Sequence, residues 1–180
     1  MEETYTLEVA GVKRVLPKIK ITDELTIASF VILGDVEIVK KTAPLLAEKM
    51  PEVDVLVSAE AKGIPLVHEV AYELGLDSYH IARKSVKPYM NNPVIQKVSS
   101  ITTQKEQILC FDENDAQAIQ GKRVAIIDDV ISTGESIRAL EQLVHAVGGN
   151  VVAKAAILAE GDASERDDIL FLQKLPLFTS

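Results

Sequence analysis

Residues 124–136 read VAIIDDVISTGES, and this stretch decides which fold the sequence predicts. Val124–Ile127 is uninterrupted and apolar, as expected for a parallel strand that is buried on both faces. Asp128 and Asp129 follow directly, and small or hydroxyl-bearing residues occupy Ser132–Ser136. Apolar residues then recur at helical spacing until Gly148 and Gly149, so the stretch predicts a strand, a loop and a helix in succession.

The same order of elements extends in both directions along the chain. Val151–Leu158 predicts a strand after the helix, and Val53–Val57 predicts a strand before a second helix that ends at Gly75. Tyr79–Ala82 and Ile108–Phe111 are further short strand candidates. Strand, helix and strand at this spacing form a right-handed crossover unit, so the sequence predicts an α/β fold with a parallel sheet.

Two features near the N-terminus do not belong to this alternation. Tyr5–Val9 and Val12–Leu16 alternate apolar and polar residues around a turn, which predicts a hairpin. Asp35 is placed to cap a helix, and Pro44 is expected to kink or restart that helix.

Composition limits the class of protein. The chain has 180 residues and a formal net charge of −8, which fits one soluble domain and argues against broad binding to nucleic acids or anionic membranes. The apolar runs are too short to span a membrane, and the N-terminus lacks a secretion signal. Cys110 is the only cysteine, so we expect a reducing, cytoplasmic setting.

The loop after Val124–Ile127 has the chemistry of a ribose-phosphate site. Backbone N–H groups at a helix start bind phosphate, Ser132, Thr133 and Ser136 add hydroxyls, and Gly134 permits close approach. The carboxylates of Asp128 and Asp129 suit ribose hydroxyls and, through water, Mg²⁺. Two alternatives stay open on these residues alone: a capped helix start after a charged strand end, and a receiver-type phosphorylation domain.

VAIIDDVISTGES closely resembles the phosphoribosyl-pyrophosphate (PRPP) loop of the type I phosphoribosyltransferases. The resemblance covers nearly the whole chain, residues 1–180, and implies one domain with a parallel sheet of about five strands flanked by helices. It also implies a small N-terminal hood over the base at about residues 1–35 and a core at about 36–180. In this loop Asp128 and Asp129 would hold the ribose, with Mg²⁺ nearby. The 5′-phosphate would lie on Ser132, Thr133, Gly134, Glu135 and Ser136.

Two further segments resemble the pyrophosphate sites of purine-using members. In SAEAKGIPL, residues 58–66, Ala61, Lys62 and Gly63 would form the pyrophosphate loop, although an exposed lysine at a helix start is the simpler explanation of Lys62. In ARKSVKPYM, residues 82–90, Arg83 and Lys87 would bind pyrophosphate, and Arg83 would be catalytic with the aspartates.

Purine choice is less well defined by the resemblance. Residues 88–107 would form a flexible flap that excludes water from the reacting sugar. Common adenine enzymes carry a glutamate and a tyrosine at fixed places in this flap, where this chain instead reads QKVSSITT at residues 96–103. Phe30, Ile32 and Glu160 are the candidate base-binding residues. Glu160 could equally lie in an exposed acidic turn.

The function implied is transfer of a phosphoribosyl group from PRPP to a free purine, in a homodimer. Adenine is the favoured base, which would give AMP and pyrophosphate in nucleotide salvage. The alternatives are an enzyme for xanthine or hypoxanthine, and a non-catalytic PRPP sensor like the purine repressor. Because the first predicted hairpin begins at about residue 5, we expect no preceding DNA-binding module.

Overall fold

The computed structural model describes residues 3–98 and 106–179, and its elements are numbered along the chain. The strands are β1 (Thr4–Val9), β2 (Val12–Lys20), β3 (Leu25–Ala28), β4 (Val55–Ala59), β5 (His80–Ala82), β6 (Val94–Val98), β7 (Gln107–Phe111), β8 (Arg123–Ile131), β9 (Asn150–Glu160), β10 (Leu170–Leu175) and β11 (Leu177–Thr179). The helices are α1 (Val36–Lys49), α2 (Ile64–Glu73), α3 (Glu113–Ile119), α4 (Glu135–Ala146) and a 3₁₀ helix at Gly161–Glu165.

A five-stranded parallel sheet in the order β10-β9-β8-β4-β5 forms the centre of the molecule. Its two faces have separate apolar cores, as the alternation of side chains along a strand requires. Ala125 and Ile127 of β8 pack into the core that includes α1 and α2, whereas Val124 and Ile126 pack into the core that includes α4. The α/β fold with a flanked parallel sheet of five strands is therefore confirmed.

Pro44 does not interrupt the helix that precedes the sheet. α1 runs from Val36 to Lys49 with Pro44 inside it, so the helix does not restart at the proline. A proline leaves the carbonyl four residues earlier without its donor. That residue here is Lys40, which is exposed, so water can satisfy the carbonyl.

The hood is a four-stranded antiparallel sheet in the order β1-β2-β3-β11. Its fourth strand comes from the C-terminus, which the predicted hood boundary of about 1–35 leaves out. Phe178 of β11 packs edge to face on Tyr5, with ring centroids 5.6 Å apart, and Lys18 lies 4.1 Å above the Phe178 ring. These contacts attach β11 to the N-terminal hairpin.

The predicted flap at 88–107 is partly described. Its described residues include β6, which pairs antiparallel with β7, from Val94 opposite Phe111 to Val98 opposite Gln107. Residues 99–105 lie outside the described residues. Within the described ranges, no helix combines the length and apolar character needed to cross a membrane.

The strand order places a topological switch at the centre of the sheet. From β4 the chain crosses through α2 to β5 on one side, and from β8 it crosses through α4 to β9 on the other. The loops that leave β4 and β8 therefore diverge and leave a crevice between them, which is where ligands bind in open α/β sheets.

Candidate active site

A cavity of about 640 Å³ opens at the carboxyl ends of β4 and β8, between the sheet and the hood. Both loops that the sequence singles out contribute to its walls, and so does the hood. The predicted site residues that line it are Phe30, Ala61, Lys62, Asp128, Asp129, Ser132, Ser136 and Glu160. The topological switch thus brings together side chains that are more than 100 positions apart in the sequence.

Asp128 and Asp129 lie inside β8 rather than after it. The sequence predicts that this strand ends at Ile127, but pairing with β9 continues from Asp128 opposite Ala156 to Ile131 opposite Ala159. Pairing with β4 stops earlier, at Val57 opposite Ile126. The last part of β8 therefore pairs with β9 alone. Its other edge, beyond the end of the pairing with β4, faces the cavity.

The two carboxyl groups form a crowded acidic pair. The Asp129 backbone N–H donates to Asp128 Oδ1 at 2.8 Å, and Asp129 is only 6% exposed. Burial and the neighbouring Asp129 carboxyl raise the pKa of Asp128 well above its usual range. The positive charge of Lys62 acts in the opposite sense and lowers this pKa, although burial and Asp129 outweigh it.

The loop after β4 packs directly against Asp128. The peptide bond between Glu60 and Ala61 is cis. A Cβ atom on Gly63 would lie 2.3 Å from Ser58 Oγ, 3.4 Å from the Ile127 carbonyl oxygen and 3.5 Å from Asp128 Oδ1. Gly63 does not line the cavity itself, but its missing side chain lets the Lys62 loop approach β8.

The loop after β8 presents the start of α4 to the cavity. Gly134 precedes the helix with φ of 83°, in the left-handed region that favours glycine. In the described part of the chain no side chain caps this helix with a hydrogen bond of cap geometry, although Thr133 Oγ1 accepts weakly from the Glu135 N–H at 3.4 Å. The first-turn N–H groups of α4 are therefore available to an anion.

Only part of the predicted phosphate loop faces the cavity. Ser132 and Ser136 line it, whereas Thr133, Gly134 and Glu135 do not. Ser132 also has a partner that the sequence does not indicate, because its hydroxyl donates to Glu160 Oε1 at 2.8 Å. Glu160 is buried at the end of β9 and accepts from the loop that follows β8, so it does not lie in an exposed acidic turn.

The basic segment after β5 is arranged differently from the prediction. Arg83 Nε is bonded to Glu60 and Arg83 Nη1 donates to Tyr89 Oη at 2.6 Å, so the guanidinium lies behind Glu60 and does not line the cavity. Lys87 donates to Ser85 Oγ at 2.7 Å and also lies outside it. Lys84 is the residue of this segment that lines the wall.

The hood contributes one of its two predicted residues. Phe30 lines the cavity, and so do the neighbouring residues 27–29. Ile32 does not reach it, because its side chain is fully buried in the core beside α1 and α2. Ile32 is therefore not positioned to contact a base in this cavity.

Several cavity residues were missed by sequence reasoning. Glu60 lines the wall beside Lys62, and residues 106–109 enter from the start of β7. Glu60 lies within the predicted pyrophosphate loop, and residues 106 and 107 lie within the predicted flap, but none of them is predicted as a ligand-binding residue.

The donor set of the cavity bears on metal binding. Within residues 3–98 and 106–179, no three acidic, histidine or cysteine side chains are grouped to hold an ion. Mg²⁺, however, is usually held by one or two carboxylates together with substrate phosphates and water. The adjacent carboxylates of Asp128 and Asp129 fit that mode of binding.

Comparison with known proteins agrees with this architecture. A family model described as "Phosphoribosyl transferase domain" matches residues 36–175. An adenine phosphoribosyltransferase from Clostridium acetobutylicum is 30% identical over 141 residues, covering 77% of this chain and 78% of that protein.

Two solved structures share the fold. The adenine phosphoribosyltransferase of Thermoanaerobacter pseudethanolicus superposes with a TM-score of 0.70 at 22% identity, over 88% of this chain and 95% of that one. The Trypanosoma brucei enzyme, solved with AMP, pyrophosphate and ribose-5-phosphate, gives 0.64 at 19% identity, over 79% and 67%. The match over most of the sequence confirms the resemblance, and the chain therefore belongs to the phosphoribosyl transferase domain family of pentosyltransferase enzymes.

Proposed function

We propose that this enzyme transfers the phosphoribosyl group of PRPP to a free purine base in nucleotide salvage, with adenine as the favoured base. The products would be AMP and pyrophosphate. The observation that carries the proposal is the cavity in which Asp128, Asp129 and the start of α4 face Lys62 across the topological switch. The family match and the adenine phosphoribosyltransferase relatives support it.

The phosphate end of PRPP would bind at the start of α4. Ser132, Thr133, Gly134, Glu135 and Ser136 form the proposed loop, in which backbone N–H groups and the positive end of the helix dipole favour the 5′-phosphate. Because Ser132 gives its hydroxyl proton to Glu160, the hydroxyl of Ser136 is the better donor. Binding this remote group fixes the position of the reacting carbon.

The acidic pair would act on the ribose. Asp128 and Asp129 can accept from the ribose hydroxyls, and their negative charge stabilises the positive charge that builds on the sugar ring. Asp129 is also the proposed proton relay to the base. This role would make Asp129 more important for turnover than for PRPP affinity.

The pyrophosphate would leave toward the cationic side of the cavity. We propose Ala61, Lys62, Gly63, Arg83 and Lys87 as its site, with Lys84 added because it lines the wall. Asp128 and Asp129 would hold Mg²⁺ through water, and the ion would supply positive charge to the departing pyrophosphate. Arg83 can bind the pyrophosphate only after its hydrogen bond to Glu60 is broken.

The base would lie between Phe30 and the ends of the central strands. Phe30 offers an apolar surface for stacking, and the buried Glu160 carboxylate can accept from a base N–H with the oxygen that Ser132 leaves free. A 6-oxopurine is the second candidate, because the flap sequence departs from that of common adenine enzymes. A catalytically inactive PRPP sensor is the alternative from another class.

The test is the release of pyrophosphate from PRPP and Mg²⁺ in the presence of adenine, hypoxanthine, guanine or xanthine, each measured separately. Release of pyrophosphate with adenine supports the proposal. Release with a 6-oxopurine alone would support the same reaction with that base as the substrate in place of adenine. Absence of release with every base, combined with calorimetric binding of PRPP, would establish the sensor instead.

The wider setting that we propose follows the family. The chain would act as one domain over residues 1–180, in a cytoplasmic homodimer without a nucleic-acid partner. Sedimentation equilibrium checks the dimer, which would give a mass of twice 19.6 kDa. A single species at 19.6 kDa would contradict it.

A further inference from the structure

An arginine outside the predicted motifs lies directly against the phosphate loop. Arg166 follows the 3₁₀ helix Gly161–Glu165, and its Nη1 lies 2.7 Å from the position that a Cβ atom on Gly134 would occupy. Its Cζ lies farther from that position, at 4.0 Å. The Nη1 end of the guanidinium is therefore the part that faces Gly134, the residue that precedes α4.

A chain of ion pairs holds this guanidinium in place. Asp168 accepts from Arg166 Nε at 2.8 Å and from Nη2 at 2.7 Å. Lys154 Nζ in turn lies 3.1 Å from Asp168 and 3.4 Å from Glu141 of α4. Arg166 is thus held by a two-bond pair with Asp168, and Asp168 in turn contacts Lys154 of β9, which pairs with Glu141 of α4. The side chain of Arg166 therefore has little rotamer entropy left to lose when it binds an anion.

Nη1 is the end of the group that stays unused. Nε and Nη2 are bonded to Asp168, and the described residues provide no acceptor for Nη1. The side chain is 32% exposed, which leaves it accessible to a ligand. The cluster has no net charge, because two cations, Arg166 and Lys154, pair with two anions, Asp168 and Glu141. The Arg166 guanidinium would therefore attract an anion through the directed N–H of Nη1 and not through a broad positive field.

We infer that Arg166 is a specificity-determining residue that binds the 5′-phosphate of the substrate from the Gly134 side of the loop. This inference rests on the proposed function, since it assigns a further ligand to the same phosphate. Arg166 would therefore distinguish phosphorylated ribose from unphosphorylated ribose. It would contribute nothing to the pyrophosphate side, which lies across the cavity at Lys62.

The test measures two anions separately by calorimetry with the full chain: ribose 5-phosphate and inorganic pyrophosphate with Mg²⁺. Arg166→Met should weaken ribose 5-phosphate binding by about 10- to 100-fold, as expected when a hydrogen bond to a charged group is lost, and should leave pyrophosphate binding unchanged. Arg166→Lys keeps the charge without the fork and should lose less than Arg166→Met.

Arg138→Met is the matched control, because Arg138 is an exposed arginine of α4 with no role in the proposed site. It removes the same charge close to the loop and should change neither affinity. Melting temperatures of all variants check the fold, and Arg166→Lys keeps the test valid if Arg166→Met does not fold.

Two outcomes would overturn the inference. Ribose 5-phosphate binding by Arg166→Met at wild-type strength would show that Arg166 does not touch the phosphate. Equal losses for ribose 5-phosphate and pyrophosphate would indicate a general structural effect. Wild-type turnover of PRPP separates these failures from failure of the proposed function, in which the unaltered chain would bind neither ribose 5-phosphate nor PRPP.

Discussion

Gly63 and Ser58 provide a prediction whose size follows from the structure. A Cβ atom at Gly63 would lie 2.3 Å from Ser58 Oγ, while its other close neighbours are at 3.4 Å and 3.5 Å, ordinary contact distances. Ser58 is 1% exposed, and its Oγ has no hydrogen-bond partner within the described residues. Gly63→Ala therefore meets one obstacle, a buried hydroxyl that makes no bond.

Gly63→Ala should lower the free energy of unfolding by about 1–3 kcal/mol, the usual cost of overpacking a buried site. It should also slow pyrophosphate release, because the loop that carries Lys62 must move away from β8. Ser58→Ala removes an unpaired buried hydroxyl, whose desolvation costs about 1–3 kcal/mol, so it should be neutral or stabilising.

The double variant Ser58→Ala/Gly63→Ala should recover about 1–2 kcal/mol relative to Gly63→Ala, as a coupling energy between contacting residues. Urea unfolding of the wild type, the two single variants and the double variant gives this coupling energy, provided that the four denaturant slopes agree. Initial rates of pyrophosphate release report whether the loop that carries Lys62 has moved. A double variant that is no more stable than Gly63→Ala would refute the steric reasoning.

Three further predictions concern the helix cap and the cationic wall. Asp35 accepts from the Ile38 N–H at 3.1 Å and pairs with Arg14, so Asp35→Ala should cost about 1–2 kcal/mol in urea unfolding. The hydrogen bond with Arg14 is the main cause that lowers the pKa of Asp35 below its usual 3.8 in the folded protein. The contribution of Asp35 to the free energy of unfolding is therefore complete above pH 3.8 and is lost as the pH falls through the lower folded pKa. A stability difference between wild type and Asp35→Ala that persists after Asp35 is protonated would contradict this. Arg83→Lys should weaken pyrophosphate inhibition about tenfold and spare ribose 5-phosphate, because a lysine cannot reproduce the fork; equal effects on both anions would count against the assignment. Glu60→Gln should tighten pyrophosphate inhibition, since the carboxylate bonded to Arg83 no longer competes, and weaker inhibition would be the contrary result.

The central part of the fold could be predicted because its signals are local. Val124–Ile127 is buried on both faces of a parallel sheet, so the strand appears as an unbroken apolar run. The helix after it has apolar residues at helical spacing and ends at two glycines. These patterns were sufficient to place Asp128, Asp129 and Ser132 beside one another at the cavity.

Other elements could not be predicted because they depend on partners distant in sequence. β11 has only three residues and forms by pairing with β3, so nothing local marks it as part of the hood. β8 continues past Ile127 because β9 lies beside it, which places both aspartates inside a strand. Short alternating segments do not reveal such partners.

The same limit applies to the site. The sequence indicated that Arg83 carries the charge for pyrophosphate, but Glu60 occupies its guanidinium and Lys84 lines the wall instead. Ile32 is apolar and lies in the hood, as a residue that contacts a base would, yet it is buried in the core with residues of α1 and α2. Residue type predicted the chemistry of the site, whereas the orientation of each side chain was decided by packing.

The most direct test of the account is the product formed from PRPP, Mg²⁺ and adenine by the wild type and by the Asp128→Asn/Asp129→Asn variant. The wild type should form AMP and pyrophosphate in equal amounts. The variant should turn over at least about 100-fold more slowly, because the charge that stabilises the sugar cation is removed. Pyrophosphate release without AMP, or a variant as fast as the wild type, would contradict the assignment of this cavity as a phosphoribosyl transfer site.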